Sequence, residues 1–167
     1  MNNTYKISKP IVRSLLAFLQ KIGFDAQRVC QSLDISHQDI MNGDDLLSAE
    51  IYLALLKAGE DLTQDPAFGL HFGKSSEPER WGVLGYIMTC CHTLAEAIDC
   101  QHRYQDLVGS LGTLTVISLE DKLRLIWDTD FVPLIAHAEE AVTGWVTFGR
   151  WVTNTDMTPY KIYFTHP

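Results

Sequence analysis

The 167 residues contain no apolar run of about 18 or more, the length a helix needs to cross a bilayer. Residues 1–6 hold no basic region backed by an apolar core, so the N-terminus does not read as a secretory signal. Positive charge is scarce: 13 Lys and Arg stand against 21 Asp and Glu, a formal net charge of -8. Phosphate contacts dominate nucleic-acid affinity, so an acidic chain with scattered cations is a poor DNA binder by itself. Cysteine is sparse and poorly spaced, with Cys90 and Cys91 adjacent and Cys30 and Cys100 distant. Reduced thiols are the simpler reading, and the expected compartment is the cytoplasm, away from membranes.

Reaction motifs are missing as well. The chain has no G-x-S-x-G elbow, no phosphate-cradling glycine loop and no dinucleotide fingerprint. Cys90-Cys91-His92 and Cys100-Gln101-His102 lack the spacing of paired zinc ligands, and His71, His92 and His137 do not read as haem ligands. No metal, no cofactor and no enzymatic activity are therefore expected. His137 and Glu140 stand at i, i+3 beside Glu139, close enough on a helix to meet for acid–base work. The expected reading of these three is a solvated polar face.

What is present is helical signal. Residues 1–9 read as a flexible lead-in. Pro10 then opens a helix whose apolar face is Ile11, Leu15, Leu19 and Ile22, stopped by Gly23. Asp25 and Ser36 cap two short helices, His37–Met41 being the second. Their junction mimics a helix-turn-helix, but residues 36–47 hold no Lys or Arg to meet phosphates, so a helical corner is expected. Ser48 opens a longer helix that ends before Asp65-Pro66, itself a helix start. Gly69 and Gly73 leave one side of the next short helix bare for close approach to a neighbour. Residues 74–80 read as a surface connector, and Gly82 and Gly85 bracket an apolar run to Met88. Thr93 and Glu96 form a capping box for a helix to about Val108.

The pattern then changes. Thr113–Leu119 and Lys122–Asp128 read as a β-hairpin turning at Glu120-Asp121, with Leu123, Leu125 and Trp127 on one face. Pro133 opens a long helix striped by Leu134, Ala138, Ala141, Val142, Trp145, Phe148 and Val152, closed by residues 154–156. Residues 160–165 alternate as a strand. The predicted class is α+β with helices dominant: a helical lobe at 1–63, then helix, β-hairpin, long helix and strand over 64–167.

The segment from Asp65 to Ala97 carries more than local structure. Asp65-Pro66, Phe68-Gly69-Leu70, Gly73, Gly82, Leu84-Gly85-Tyr86 and Thr93-Leu94 with Glu96-Ala97 match a family pattern in order and spacing. In these residues the chain resembles the N-terminal effector-binding (arabinose-binding-like) domain of AraC-type transcription regulators. The resemblance extends to the Pro159–Phe164 segment and His166-Pro167. It implies a sensor for a small-molecule effector, a possible homodimer, and DNA contact only through a separate C-terminal module of two helix-turn-helix units. That module is expected to be missing from this chain, a fragment of a longer regulator. The alternative is a dimerisation or protein-interaction domain with no small-molecule pocket.

Large amphipathic side chains are the candidate ligand contacts: Trp81, Tyr86, Tyr104, Trp127 and Trp145, with Arg150 as a clamp for a carboxylate. The expected cavity lies between the Trp127 strand, the Trp145 helix and the Gly82–Met88 helix. Plain core packing is the competing reading for each aromatic.

Overall fold

The computed structural model describes residues 5–130 and 134–165. Strand β1 (Lys6–Ser8) leads into α1 (Lys9–Lys21), α2 (Ala26–Ser32) and α3 (His37–Met41). Strand β2 (Leu46–Ser48) pairs antiparallel with β1 and runs straight into α4 (Ala49–Thr63). Then come α5 (Phe68–Lys74), a 3-10 helix at Pro78–Trp81, α6 (Val83–Thr89) and α7 (Leu94–Tyr104). A second 3-10 helix at Gln105–Leu107 precedes the hairpin of β3 (Thr113–Ser118) and β4 (Leu123–Asp128), and α8 spans Ile135–Thr153. Helices dominate, with two small two-stranded sheets.

The caps fall where the side-chain chemistry places them. Asp25 accepts from the Gln27 and Arg28 amides, Ser36 from Asp39 and Ser48 from Glu50. Thr93 and Glu96 close a reciprocal capping box on α7. Asn154 ends α8 in the left-handed region at φ 49°.

The main core gathers Leu15 and Leu19 of α1, Tyr52, Leu55 and Leu56 of α4, and Phe68 and Phe72 of α5. A second, smaller cluster holds Trp81, Leu84, Met88, Ala97 and Phe148. The two are joined by the contact of α5 on α8. A Cβ added at Gly69 would sit 2.7 Å from the Ala136 Cα, and one at Gly73 would sit 2.8 Å from the Thr143 Cβ. Both glycines are therefore required for the backbones to approach this closely, as their i, i+4 spacing predicts.

Several expectations need correction. The lead-in is not free: Lys6–Ser8 is a strand tied to β2, and Ser8 N–H donates to the Val108 carbonyl at 2.8 Å. Asp65-Pro66 forms a turn before α5 rather than its first residues, with the Asp65 carboxylate accepting from the Ala67 amide at 2.9 Å. The connector at 74–80 is not wholly superficial, since Ser76, Pro78 and Arg80 are buried. Residues 160–165 form no strand. Alternation alone does not make a strand, and Tyr160 and Tyr163 stand in solvent at 87% and 77% exposure. Tyr160 instead lies under the Lys122 ammonium, 4.7 Å from its ring centroid. The hairpin exists as predicted, but only its base is covered: Leu114 and Trp127 pair directly and meet the body, while Leu123 and Leu125 are exposed. The helix start assigned to Pro133 lies outside the described residues.

Candidate functional site

The site is built where α8, the hairpin base, α7 and the 3-10 helix Pro78–Trp81 meet. The Gln105 side chain fixes the hairpin on α7: its Oε1 accepts from the Leu114 amide at 2.7 Å, and its Nε2 donates to the His102 carbonyl at 3.0 Å. His102 Nδ1 lies 2.8 Å from the Leu114 carbonyl oxygen. Trp127 then folds over Gly112, where a Cβ would fall 2.7 Å from the indole Cζ2. Only a residue without a side chain lets the ring lie there.

A cavity of about 90 Å³ opens between these parts. That is room for several waters or a small organic molecule. Ile7, Ile11, Leu111 and Leu114 supply an apolar wall, and Trp81, Trp127 and Trp145 supply aromatic surface. Arg80, His137 and Glu140 form a polar wall, with Gln101 and Gln105 near the α7 side.

The polar wall is deeply buried. The Arg80 and Glu140 side chains are 4% and 3% exposed and form an ion pair through Arg80 Nη2 and Glu140 Oε2. The other carboxylate oxygen accepts from the Tyr52 hydroxyl at 2.5 Å, so both Glu140 oxygens are engaged. Arg80 also stacks on Phe72, 4.5 Å from the ring centroid. Among the described residues its Nε and Nη1 have no hydrogen-bond partner, and neither does His137 Nδ1. His137 Nε2 is 3.8 Å from Glu140 Oε1, too far for a hydrogen bond. The imidazole is instead held edge-on between Trp127, at 4.9 Å, and Tyr52, at 5.7 Å.

Burial sets the charges. It pushes the Tyr52 hydroxyl well above its ordinary pKa, and the Glu140 charge adds to the effect, so Tyr52 stays a donor. Burial opposes the Arg80 charge most strongly of any single cause, but Glu140 and Tyr52 together outweigh it and the guanidinium pKa rises. His137 is lowered by burial, with Arg80 acting in the same direction, and is neutral at physiological pH. The wall thus consists of a neutralised ion pair and a neutral imidazole.

Of the sequence candidates, Trp81, Trp127 and Trp145 are brought together around the cavity. Tyr86 and Tyr104 are exposed at 55% and 43%, and Arg150 donates through Nε to the Met157 carbonyl at 2.9 Å; none of the three lines the cavity. The Gly82–Met88 helix does not line it either; α7 and β1 take its place. His137 and Glu140 are the main correction, because the expected solvated face is buried at 3% and 2% exposure. The available signal was the i, i+4 series Ala136, Glu140, Gly144, Phe148, which puts small residues and one carboxylate on a single face. Among the described residues, no group of three or more His, Cys, Asp or Glu side chains converges on a metal position. No described helix is long and apolar enough to cross a membrane.

Residues 23–167 match the family model described as the arabinose-binding domain of AraC transcription regulator, N-term. The chain belongs to this family. It is a family of regulatory domains from transcription regulators, not of enzymes. No curated protein matches the chain by sequence. The matched span includes the polar wall, the three tryptophans and the hairpin, while β1 and α1 precede it. Family membership marks the chain as a regulatory domain of the ligand-sensing class.

Proposed function

We propose that the chain is the effector-sensing part of an AraC-type regulator, with residues 1–167 acting as one sensing unit. A small molecule occupies the cavity under the hairpin, and its preference for one arrangement of α7, α8 and the hairpin shifts how a DNA-binding module is presented. DNA contact belongs to that module, since the charge of -8 opposes direct binding by this chain. The observation that carries the reading is the conjunction of a cavity of about 90 Å³, three tryptophans and the buried Arg80–Glu140 pair in its wall. Such convergence of apolar area with a few oriented polar groups is what small-molecule sites are made of.

Thermal-shift screening against amino acids, sugars and fatty acids tests it. A ligand at about 100 times its Kd stabilises by about 2.7 kcal/mol. The shift should vanish in Ala141→Leu, which fills the cavity from α8. A second reading, a dimerisation surface, draws on Val83, Tyr86 and Ile87, exposed at 62%, 55% and 43% along α6. A screen without hits, together with a concentration-dependent dimer that Tyr86→Ser dissolves, would favour that reading instead.

A further inference from the structure

The charge balance of the cavity restricts the effector, and this restriction rests on the cavity being the effector site proposed above. We infer that the effector is an uncharged molecule with a branched aliphatic or aromatic body. Among the described residues, the ionisable side chains that line the cavity are Arg80, His137 and Glu140. Arg80 and Glu140 are paired with each other in side chains 4% and 3% exposed, so their charges cancel at the wall. His137 is buried, lies edge-on to Trp127 and Tyr52, and is kept neutral by its burial. The lining therefore holds one positive and one negative charge, with no surplus of either sign. That sum is the same whichever atoms of the pair face the cavity, because Coulomb interaction acts through space.

A charged ligand entering such a space gives up hydration and meets no unbalanced counter-charge, which is costly. Anions face a second barrier, because the chain carries a formal net charge of -8 and its field repels them on approach. Cations are drawn by that field, and tryptophan faces attract them. Yet Arg80 lies in the same wall, and both Glu140 oxygens are already spent on Arg80 and Tyr52. An uncharged ligand avoids these costs. Its body gains from burial against Ile11, Leu111 and Leu114 and against the three tryptophans. The amides of Gln101 and Gln105 are polar without charge, so hydrogen-bonding groups on the ligand are compatible with this lining.

The test is calorimetric titration of the intact chain, at neutral pH, with sets of similar ligands that differ in charge. One set is benzyl alcohol, benzoate and benzylamine; the other is isoamyl alcohol, isovalerate and isoamylamine. In at least one set the alcohol should bind, about tenfold or more tighter than its acid and its amine. Ala141→Leu fills the cavity and should abolish that binding. Gln101→Glu sets an unbalanced negative charge in the lining from half-buried α7, and should move the preference toward the amine by about tenfold. This second variant keeps the test decisive if Ala141→Leu does not fold. An acid or amine binding as tightly as its alcohol, in a manner that either variant alters, would overturn the charge assignment while leaving the cavity as an effector site. An unchanged order of preference in folded Gln101→Glu would overturn it as well. A panel in which nothing binds, with the parent protein folded, would overturn both the charge assignment and the site.

Discussion

Glu140→Gln is the most informative single substitution, because it removes one charge and almost no volume. In the folded protein Arg80 would then sit with a 4% exposed side chain and no counter-charge. Removing one partner of a buried ion pair costs about 3–5 kcal/mol, since the remaining charge stays out of water. The amide oxygen can still accept one hydrogen bond, which places the expected loss near the lower end, about 3 kcal/mol. For a domain of this size each kcal/mol lowers Tm by about 2–4 °C, so the variant should melt roughly 6–12 °C below the parent. Urea unfolding should show a lower midpoint at an unchanged slope. The double variant Arg80→Met/Glu140→Met, which buries no charge, should recover most of the loss. A loss below about 1 kcal/mol for Glu140→Gln would refute the reasoning, because that is what a solvated surface pair is worth.

Three further outcomes are expected. His137 has a lowered pKa in the fold, so the unfolded chain binds the proton more readily; stability should be unaffected above the ordinary value of 6.5 and fall as pH drops below it. His137→Asn should flatten that slope in urea titrations run across the same pH range. Gly69→Ala should destabilise by about 1–3 kcal/mol through overpacking against Ala136, although the same change in an exposed helix stabilises by up to about 1 kcal/mol. Gly112→Val should displace the Trp127 ring and shift the tryptophan emission maximum toward the red, with far-ultraviolet circular dichroism little changed.

The legible parts of the fold were those fixed by local chemistry. Asp25, Ser36, Ser48 and the Thr93–Glu96 box each satisfy amides within a few residues, so the cap side chains name the helix starts by themselves. The hairpin was equally local, its two strands separated by a two-residue turn at Glu120-Asp121. What was not legible depended on partners far away in the chain. Lys6–Ser8 becomes a strand because Leu46–Ser48 pairs with it and Val108–Ser110 bonds it as well. Tyr160–Thr165 has strand-like alternation and forms no strand. The polar wall hid for the same reason: His137 and Glu140 look like surface residues until Arg80 and Tyr52 arrive from elsewhere to neutralise and hydrogen-bond the carboxylate. The three tryptophans were visible as candidates from size and polarity, but composition could not separate them from Tyr86 or Tyr104. That separation is made by the hairpin base and α8 closing over one of these groups and not the other.

The Tyr52–Glu140–Arg80 cluster also bears on how the molecule assembles. Its bonds join residues 88 and 60 positions apart, so the cluster forms only after long loops have closed and the last described helix has docked. Contacts made that late contribute little at the rate-limiting barrier and much to holding the finished structure shut. Weakening the cluster should therefore leave the refolding arm of a chevron plot nearly unchanged and raise the unfolding arm. The wall that faces the cavity would then be the latch that sets how long each folded copy persists.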